Sequence, residues 1–144
     1  MSDFKKLEVW QKAHALALSV DRVCKRMRGP HHASLRSQAY RAAMSIPANI
    51  AEGRRKNGDK EFSRFLGYAL SSASELEYHL IVARDTKVLP ESDFVSLISQ
   101  TVTVRKMLYG LLNCLSIPDP DSKPKKKREK SPQPQAGPPT APSR

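Results

Sequence analysis

Cationic side chains are the groups in this sequence whose type and spacing could do chemistry. One set follows the glycine at position 53: Arg54, Arg55, Lys56, Lys60 and Arg64. Arg36 and Arg41 could join this set from the preceding segment. Clustered arginines and lysines bind the phosphates of RNA or DNA and displace their counterions. The segment therefore predicts a nucleic-acid contact, with a solvated charged loop as the alternative interpretation.

A second cationic run, KPKKKREK, lies near the carboxyl terminus. Its central residues are Lys125, Lys126, Lys127 and Arg128. Such a run binds polyanions with little sequence selectivity, and the alternative is a tail that only improves solubility. Three aromatic residues near the first set, Tyr40, Phe65 and Tyr68, could stack on unpaired bases unless they pack within the fold.

Enzymatic chemistry finds little support in the other polar residues. Glu75 and His79 are four apart, but a di-iron bundle needs a Glu-x-x-His motif on each of two helices. The sequence contains no HExxH, P-loop, GxSxG or dinucleotide-binding motif. Cys24 and Cys114 are too far apart to suggest a zinc site or a disulfide framework, and they suit a reducing cytoplasm. We predict a cytoplasmic protein that is not an enzyme and needs no metal or cofactor.

Charge and composition divide the chain in two. Its 144 residues include 25 Lys and Arg against 14 Asp and Glu, a formal net charge of +11. Residues 1–116 carry +7 of this charge and are long enough for one domain. Residues 117–144 hold eight of the eleven prolines and no aromatic residue, so we expect a disordered, basic tail. No apolar run is long enough to cross a membrane, and the charge favours a polyanionic partner.

Apolar residues repeat at steps of three and four in four segments, which predicts four helices. Their expected limits are 2 or 3 to about 27, 31–34 to about 53, 59 to about 86, and 90 to about 117. Asp59 is the expected N-cap of the third helix. Because the connections are short, the economical fold is an all-α, antiparallel, up-down-up-down four-helix bundle.

Helix two contains an unusual run of small residues. One of its stripes is formed by Leu35, Ala39, Ala42, Ile46, Asn49 and Gly53. Small side chains let a second backbone approach closely, and a lone asparagine in such a seam commonly fixes register or partner number. Pro47 cannot donate to the helix ladder, so we expect a kink or a break there. The stripe indicates either a kinked core helix or a specified interface, and Trp10 similarly widens the apolar stripe of helix one.

Three segments resemble a known family. They are FKKLEVWQKA, LRSQAYRAAMSIPANIAEG and EFSRFLGYALSSASELEYHL. They are similar to the bacterial four-helix-bundle proteins encoded in intervening sequences of 23S ribosomal RNA genes, whose relatives include accessory variability determinants of diversity-generating retroelements. The resemblance covers about residues 4–115 and implies a basic bundle that assembles as a homopentamer. In the retroelement branch, it implies binding of a reverse transcriptase and of its template RNA.

Two functional hypotheses remain open from the sequence. The first is a non-enzymatic, basic, homo-oligomeric scaffold that binds RNA or DNA, as an accessory to a reverse transcriptase or as an intervening-sequence protein. The second is a protein-interaction module in which the charge serves solubility only. The first predicts binding that weakens steeply with salt, and the second predicts that Asn49→Leu changes the oligomer.

Overall fold

The computed structural model describes residues 3–115. It contains four long α-helices, preceded or joined by two short 3₁₀ turns, at Phe4–Lys6 and Pro30–His32. The helices are α1 (Glu8–Arg26), α2 (Ala33–Arg55), α3 (Asp59–Asp85) and α4 (Glu91–Leu115). No strand occurs among the described residues. The predicted all-α bundle is confirmed, while the tail with Lys125, Lys126, Lys127 and Arg128 lies outside the described residues.

The helices form a closed square in which each one packs against two neighbours. Contacts join α1 to α2, α2 to α3, α3 to α4 and α4 to α1, whereas the two diagonal pairs do not touch within residues 3–115. An ion pair between Arg26, at the end of α1, and Asp93, at the start of α4, spans 3.2 Å. This is the up-down-up-down arrangement, in which the α2–α3 turn and the end of α4 lie at the same end of the bundle.

The apolar stripes expected from the sequence form the core. The largest fully buried side chains come from all four helices: Leu16, Val20, Ile46, Ile50, Leu66, Leu76, Leu97, Val104 and Leu108. Two polar residues among 3–115 are buried with it, His79 and Thr101. Thr101 is fully buried, and its Oγ1 donates to the carbonyl of Leu97 at 2.7 Å. The period of three and four therefore identified the buried face correctly.

The start of the first helix differs from the prediction. Asp3 caps the 3₁₀ turn, and its Oδ1 accepts from the backbone N–H of Lys5 at 3.0 Å. Leu7 is extended, with φ −71° and ψ 125°, so α1 begins at Glu8. The turn directs the Phe4 ring against Trp10, with ring centroids 5.2 Å apart. An N-cap signal was therefore read correctly, but it belongs to a separate turn. The N-cap predicted for α3 is also wrong by one residue: Gly58 occupies the N-cap position, and Asp59 is the first helical residue.

Pro47 does not break α2. The helix is continuous from Ala33 to Arg55, and the proline itself is buried. Ile46 and Ile50 on either side of it are fully buried, and this packing holds the segment helical although one backbone hydrogen bond is missing. Of the two expected outcomes, a kink or a break, the break is wrong because tertiary burial outweighs a local cost of about 3 kcal/mol.

The small-residue stripe of α2 serves a close contact with α3 inside the same chain. A Cβ added to Gly53 would lie 2.6 Å from the Cβ of Phe65 and 3.0 Å from Phe62 Cδ2. Ser45 Oγ hydrogen-bonds to Ser72 Oγ across the same pair of helices. Asn49 is only half-buried, and its side-chain amide donates to the carbonyl of Ser45 at 2.8 Å. The stripe is an intramolecular contact, and Asn49 bonds within its own helix.

None of the helices among residues 3–115 combines the length and the apolar character needed to cross a membrane.

Candidate nucleic-acid interface

Five cations gather at the end of the bundle where α2 gives way to α3. We call them the basic cluster: Arg54, Arg55, Lys56, Lys60 and Arg64. Two of them end α2, one caps it, and two lie in the first two turns of α3. The connection passes through Gly58, whose backbone φ of 91° is one that residues other than glycine rarely adopt. A three-residue turn therefore brings both helix ends, and their cations, to one surface.

Four of the five cations lie over aromatic rings. Arg55 is 5.1 Å from the centroid of Phe4, and Arg54 is 5.6 Å from that of Phe62. Lys56 and Arg64 lie 5.7 and 5.2 Å from the Phe65 ring. Cation–π contacts at exposed sites contribute about 0.5–1 kcal/mol each and leave the polar atoms free to bind a ligand.

Carboxylates neutralise part of this charge. Lys56 pairs with Glu52 at 3.1 Å, and Arg64 pairs with Glu61 at 2.8 Å. The hydrogen bond from Arg64 to the Glu61 carboxylate raises the pKa of Arg64 above its usual value, so this guanidinium stays charged. The cations of the cluster without an ion pair among residues 3–115 are the remaining three: Arg54, Arg55 and Lys60. These three are the strongest candidates for phosphate contacts.

Arg54 has an additional unsatisfied group. Its Nε is buried and has no hydrogen-bond partner among the described residues. A buried donor without a partner usually costs about 1–3 kcal/mol. The guanidinium over the Phe62 ring recovers part of this cost, and an acceptor oxygen reaching the same group would recover more.

The two cations predicted to join the cluster from helix two lie elsewhere. At a rise of 1.5 Å per residue, Arg36 is about 27 Å and Arg41 about 20 Å along α2 from Arg54. Arg36 instead binds the end of α1, where its Nη1 donates to the carbonyls of Met27 at 2.8 Å and Gly29 at 3.0 Å. Arg41 is exposed. Neither belongs to the basic cluster.

The predicted aromatic residues also separate. Phe65 is half-buried beneath Lys56 and Arg64, and Tyr68 is exposed beside it with ring centroids 5.4 Å apart. Tyr40 is exposed on a different face, between α1 and α2. Tyr68 is thus the aromatic side chain whose surface is open beside the cluster.

The acidic residues of α3 contact other side chains of the bundle. Glu77 binds Arg105 of α4, and both partners are about one-third exposed. Glu75 lies 3.3 Å from the ring Nε2 of the buried His79 one helical turn away. No group of three or more His, Cys, Asp and Glu residues within 3–115 could hold a metal ion. The geometry assigns these carboxylates to helix contacts.

A second set of cations was not recognised in the sequence. Arg22, Lys25 and Arg26 line a polar groove of about 520 Å³ between α1 and α4, together with Ser96 and Gln100. Arg26 is tied to α4 by the carboxylate of Asp93, as described above. The signal was present in the segment RVCKRMR, which carries four cations in seven residues. It was overlooked because the same residues continue the first helix.

The fold and the site define a class of protein: an antiparallel four-helix bundle with a cationic end and no recognised catalytic motif. The family model described as 23S rRNA-intervening sequence protein matches residues 5–110. The chain therefore belongs to that family. A search of curated proteins found no match.

A solved structure has the same fold. It is the crystal structure of a protein of unknown function from the S23 ribosomal protein family of Bacteroides thetaiotaomicron. The two superpose with a TM-score of 0.68 at 24% sequence identity, over 72% of this chain and 97% of the other. The resemblance expected from the sequence is thus confirmed for the intervening-sequence family, while the relation to retroelement accessory determinants stays a prediction.

Proposed function

We propose that this protein is a non-enzymatic nucleic-acid-binding scaffold whose preferred ligand is RNA. The observation that carries the proposal is the basic cluster, in which three cations that have no carboxylate partner within residues 3–115 are held at one end of the bundle. Phosphate recognition uses cations of this kind to position the backbone without reading the base sequence. Membership in the 23S rRNA-intervening sequence family supports RNA as the ligand.

The cluster would act as a contact point for successive phosphates. Arg54 and Arg55 end α2, and Lys60 is the second residue of α3. The aromatic rings beneath Arg54 and Arg55 limit the loss of side-chain entropy on binding, since these two cations are already positioned. Lys56 and Arg64 can exchange their exposed carboxylate partners for phosphates.

One part of the proposal comes from the family resemblance: a homo-oligomer, with a homopentamer as the expected size. From the cysteine usage and the motifs of the sequence we also propose that the protein is cytoplasmic and acts without a metal or cofactor. A reverse transcriptase is the expected protein partner if the chain belongs to the retroelement branch. An exposed tyrosine and valine, Tyr78 of α3 and Val95 of α4, offer apolar surface for contacts between copies.

The test compares two variants of equal charge in the full-length chain. In the first, Arg54, Arg55 and Lys60 are changed to Gln; in the control, the exposed cations Lys12, Lys87 and Lys106 are changed to Gln. Binding of a labelled structured RNA and of duplex DNA is followed by fluorescence anisotropy. We expect the first variant to bind at least ten-fold more weakly than the control. Equal affinities would show that net charge, not the cluster, determines binding.

A companion variant separates the core from the tail. Changing Lys125, Lys126, Lys127 and Arg128 to Gln keeps the chain length and removes four positive charges. If this variant loses all binding while the cluster variant keeps it, the bundle is a protein-interaction module and the tail holds the nucleic acid.

The alternative function is that of a protein-interaction module that serves assembly, with the positive charge serving solubility only. It predicts that Asn49→Leu changes the particle mass measured by light scattering. The hydrogen bond from Asn49 to Ser45 within α2 favours an unchanged mass.

A further inference from the structure

The face formed by α1 and α2 contains an open groove that the basic cluster does not use. Its walls are His14, Ala17, Leu18 and Asp21 of α1 and Tyr40, Met44, Pro47 and Ala48 of α2, and it encloses about 340 Å³. We call it the α1–α2 groove. Three large side chains in it are unusually exposed: 47% for Leu18, 36% for Tyr40 and 44% for Met44. The groove has an aromatic side chain on each helix, His14 on α1 and Tyr40 on α2.

A row of rings leads from the basic cluster into this groove. The guanidinium of Arg55 lies over Phe4, whose ring meets Trp10 edge-on at 5.2 Å. Trp10 stacks on His14, with centroids 4.9 Å apart and planes inclined by 9°. His14 is exposed and forms one wall of the groove. The row of rings therefore ends at a residue that lines the groove.

The opposite end of the face is also cationic. Asp21 and Tyr40 line an adjoining shallow groove together with Lys25 and Arg36. Arg36 is held there by the carbonyls at the end of α1, and Arg41 follows Tyr40 on α2. The distance along α2 from Arg36 to Arg55 is about 28 Å. Cations thus lie at both ends of a face whose middle is aromatic and apolar.

We propose that the α1–α2 groove binds unpaired bases of a single-stranded nucleic acid. Bases stack against His14 and Tyr40, while the phosphates on either side contact Arg55 at one end and Arg36 and Arg41 at the other. Aromatic rings combined with a cationic path are the means by which proteins hold single strands of about four nucleotides or more. A duplex keeps its bases stacked inside the helix, so it cannot enter. The inference rests on the proposed function and names its substrate class.

Charge distinguishes this occupant from a second copy of the chain. Asp21 of the groove pairs with Lys25 at 3.0 Å, and the exposed Glu52, one turn beyond Ala48 on α2, pairs with Lys56 at 3.1 Å. With these charges paired, the cations that remain along the face are Arg36, Arg41 and Arg55. Two copies meeting through the same face would place these cations opposite one another, which is unfavourable. A polyanion is attracted by the same charges.

Trp10 provides a direct measurement, because it is the one tryptophan of the chain. Full-length protein is titrated with a twelve-nucleotide oligouridylate and with a duplex RNA of the same length, and both anisotropy and tryptophan emission are recorded. We expect the single strand to bind about ten-fold more tightly and to change the emission of Trp10. His14→Ala and Tyr40→Ala should each weaken single-strand binding about ten-fold, the effect of losing one stacked base.

Two matched variants make the result specific. Tyr40→Phe keeps the ring and should bind like the unchanged chain, while Tyr109→Ala removes an exposed tyrosine of α4 and should have no effect. Equal affinity for single strand and duplex, with constant Trp10 emission, would overturn the inference and leave the basic cluster as the binding site. A change of particle mass in Tyr40→Ala, with unchanged RNA affinity, would assign the face to self-association and also overturn it. Absence of any RNA binding would overturn the proposed function as well.

Discussion

Replacement of Gly53 by alanine tests the close packing that places the basic cluster. In an open helical position this change raises helix propensity, worth about 0.8–1.0 kcal/mol. At Gly53 the new Cβ would meet the Cβ of Phe65 at 2.6 Å, a distance that real Cβ atoms essentially never show. Since that atom is fixed to the α3 backbone, the two helices must move apart. Overpacking of this kind costs about 1–3 kcal/mol, so we expect Gly53→Ala to destabilise the protein.

Gly110→Ala is the matched control. A Cβ at this position in α4 would meet nothing within 4 Å, so the variant keeps the gain in propensity without the steric cost. The difference between the two variants then isolates the steric contribution, because the propensity gain cancels. We expect a difference of about 1–3 kcal/mol in the free energy of unfolding, measured by urea denaturation.

In thermal unfolding, the same difference should separate the two melting temperatures by roughly 4 °C per kcal/mol. Gly53→Ala should also weaken RNA binding, because Arg54 and Arg55 follow the displaced turn directly. Equal stability of the two variants would refute the close α2–α3 approach.

Three further predictions concern local chemistry. Burial raises the pKa of Cys24 to about 11, so almost all of this thiol is protonated at pH 8. A thiol reagent should therefore modify the exposed Cys114 rapidly and Cys24 only after unfolding. Rapid modification of both cysteines in the native protein would contradict the burial of Cys24. The ion pair of Arg105 with Glu77 is about two-thirds buried, and a double-mutant cycle with alanine should give a coupling energy of about 1 kcal/mol; a value of zero would show that the pair adds nothing. Thr101→Val should change stability by less than about 1 kcal/mol, since the carbonyl of Leu97 loses the hydroxyl donor but keeps the helical N–H of residue 101, and Thr101→Ser should lose about 1 kcal/mol through the missing methyl group; serine being the more stable variant would contradict this.

Much of the fold was predictable because its signals are periodic. A step of three and four places one face of each helix in the core, and Leu16, Ile46, Leu76 and Leu108 are buried as that period requires. Local rules were less reliable where tertiary contacts compete with them. The break expected at Pro47 does not occur, since its neighbours are held in the core.

The candidate site was only partly predictable. Arg54 and Arg55 end α2 and Lys60 begins α3 after a three-residue turn, so residues close in sequence lie at the same end of the bundle, and the sequence located the basic cluster. Arg36 and Arg41 are close in sequence to that cluster but are separated from it by the rise of the helix. Partners of ion pairs were not predictable either: Glu77 binds Arg105, 28 residues away, because α3 and α4 are antiparallel.

The most direct test of the central claim is the salt dependence of RNA binding. The slope of log K against log salt is about −0.7 per phosphate contact for a single strand. If Arg54, Arg55 and Lys60 each contact one phosphate, their change to Gln should make the slope less negative by about 2. The control with Lys12, Lys87 and Lys106 changed should keep the slope of the unchanged chain. An identical slope in the cluster variant, or binding indifferent to salt in the unchanged chain, would contradict the claim that this end of the bundle holds nucleic acid.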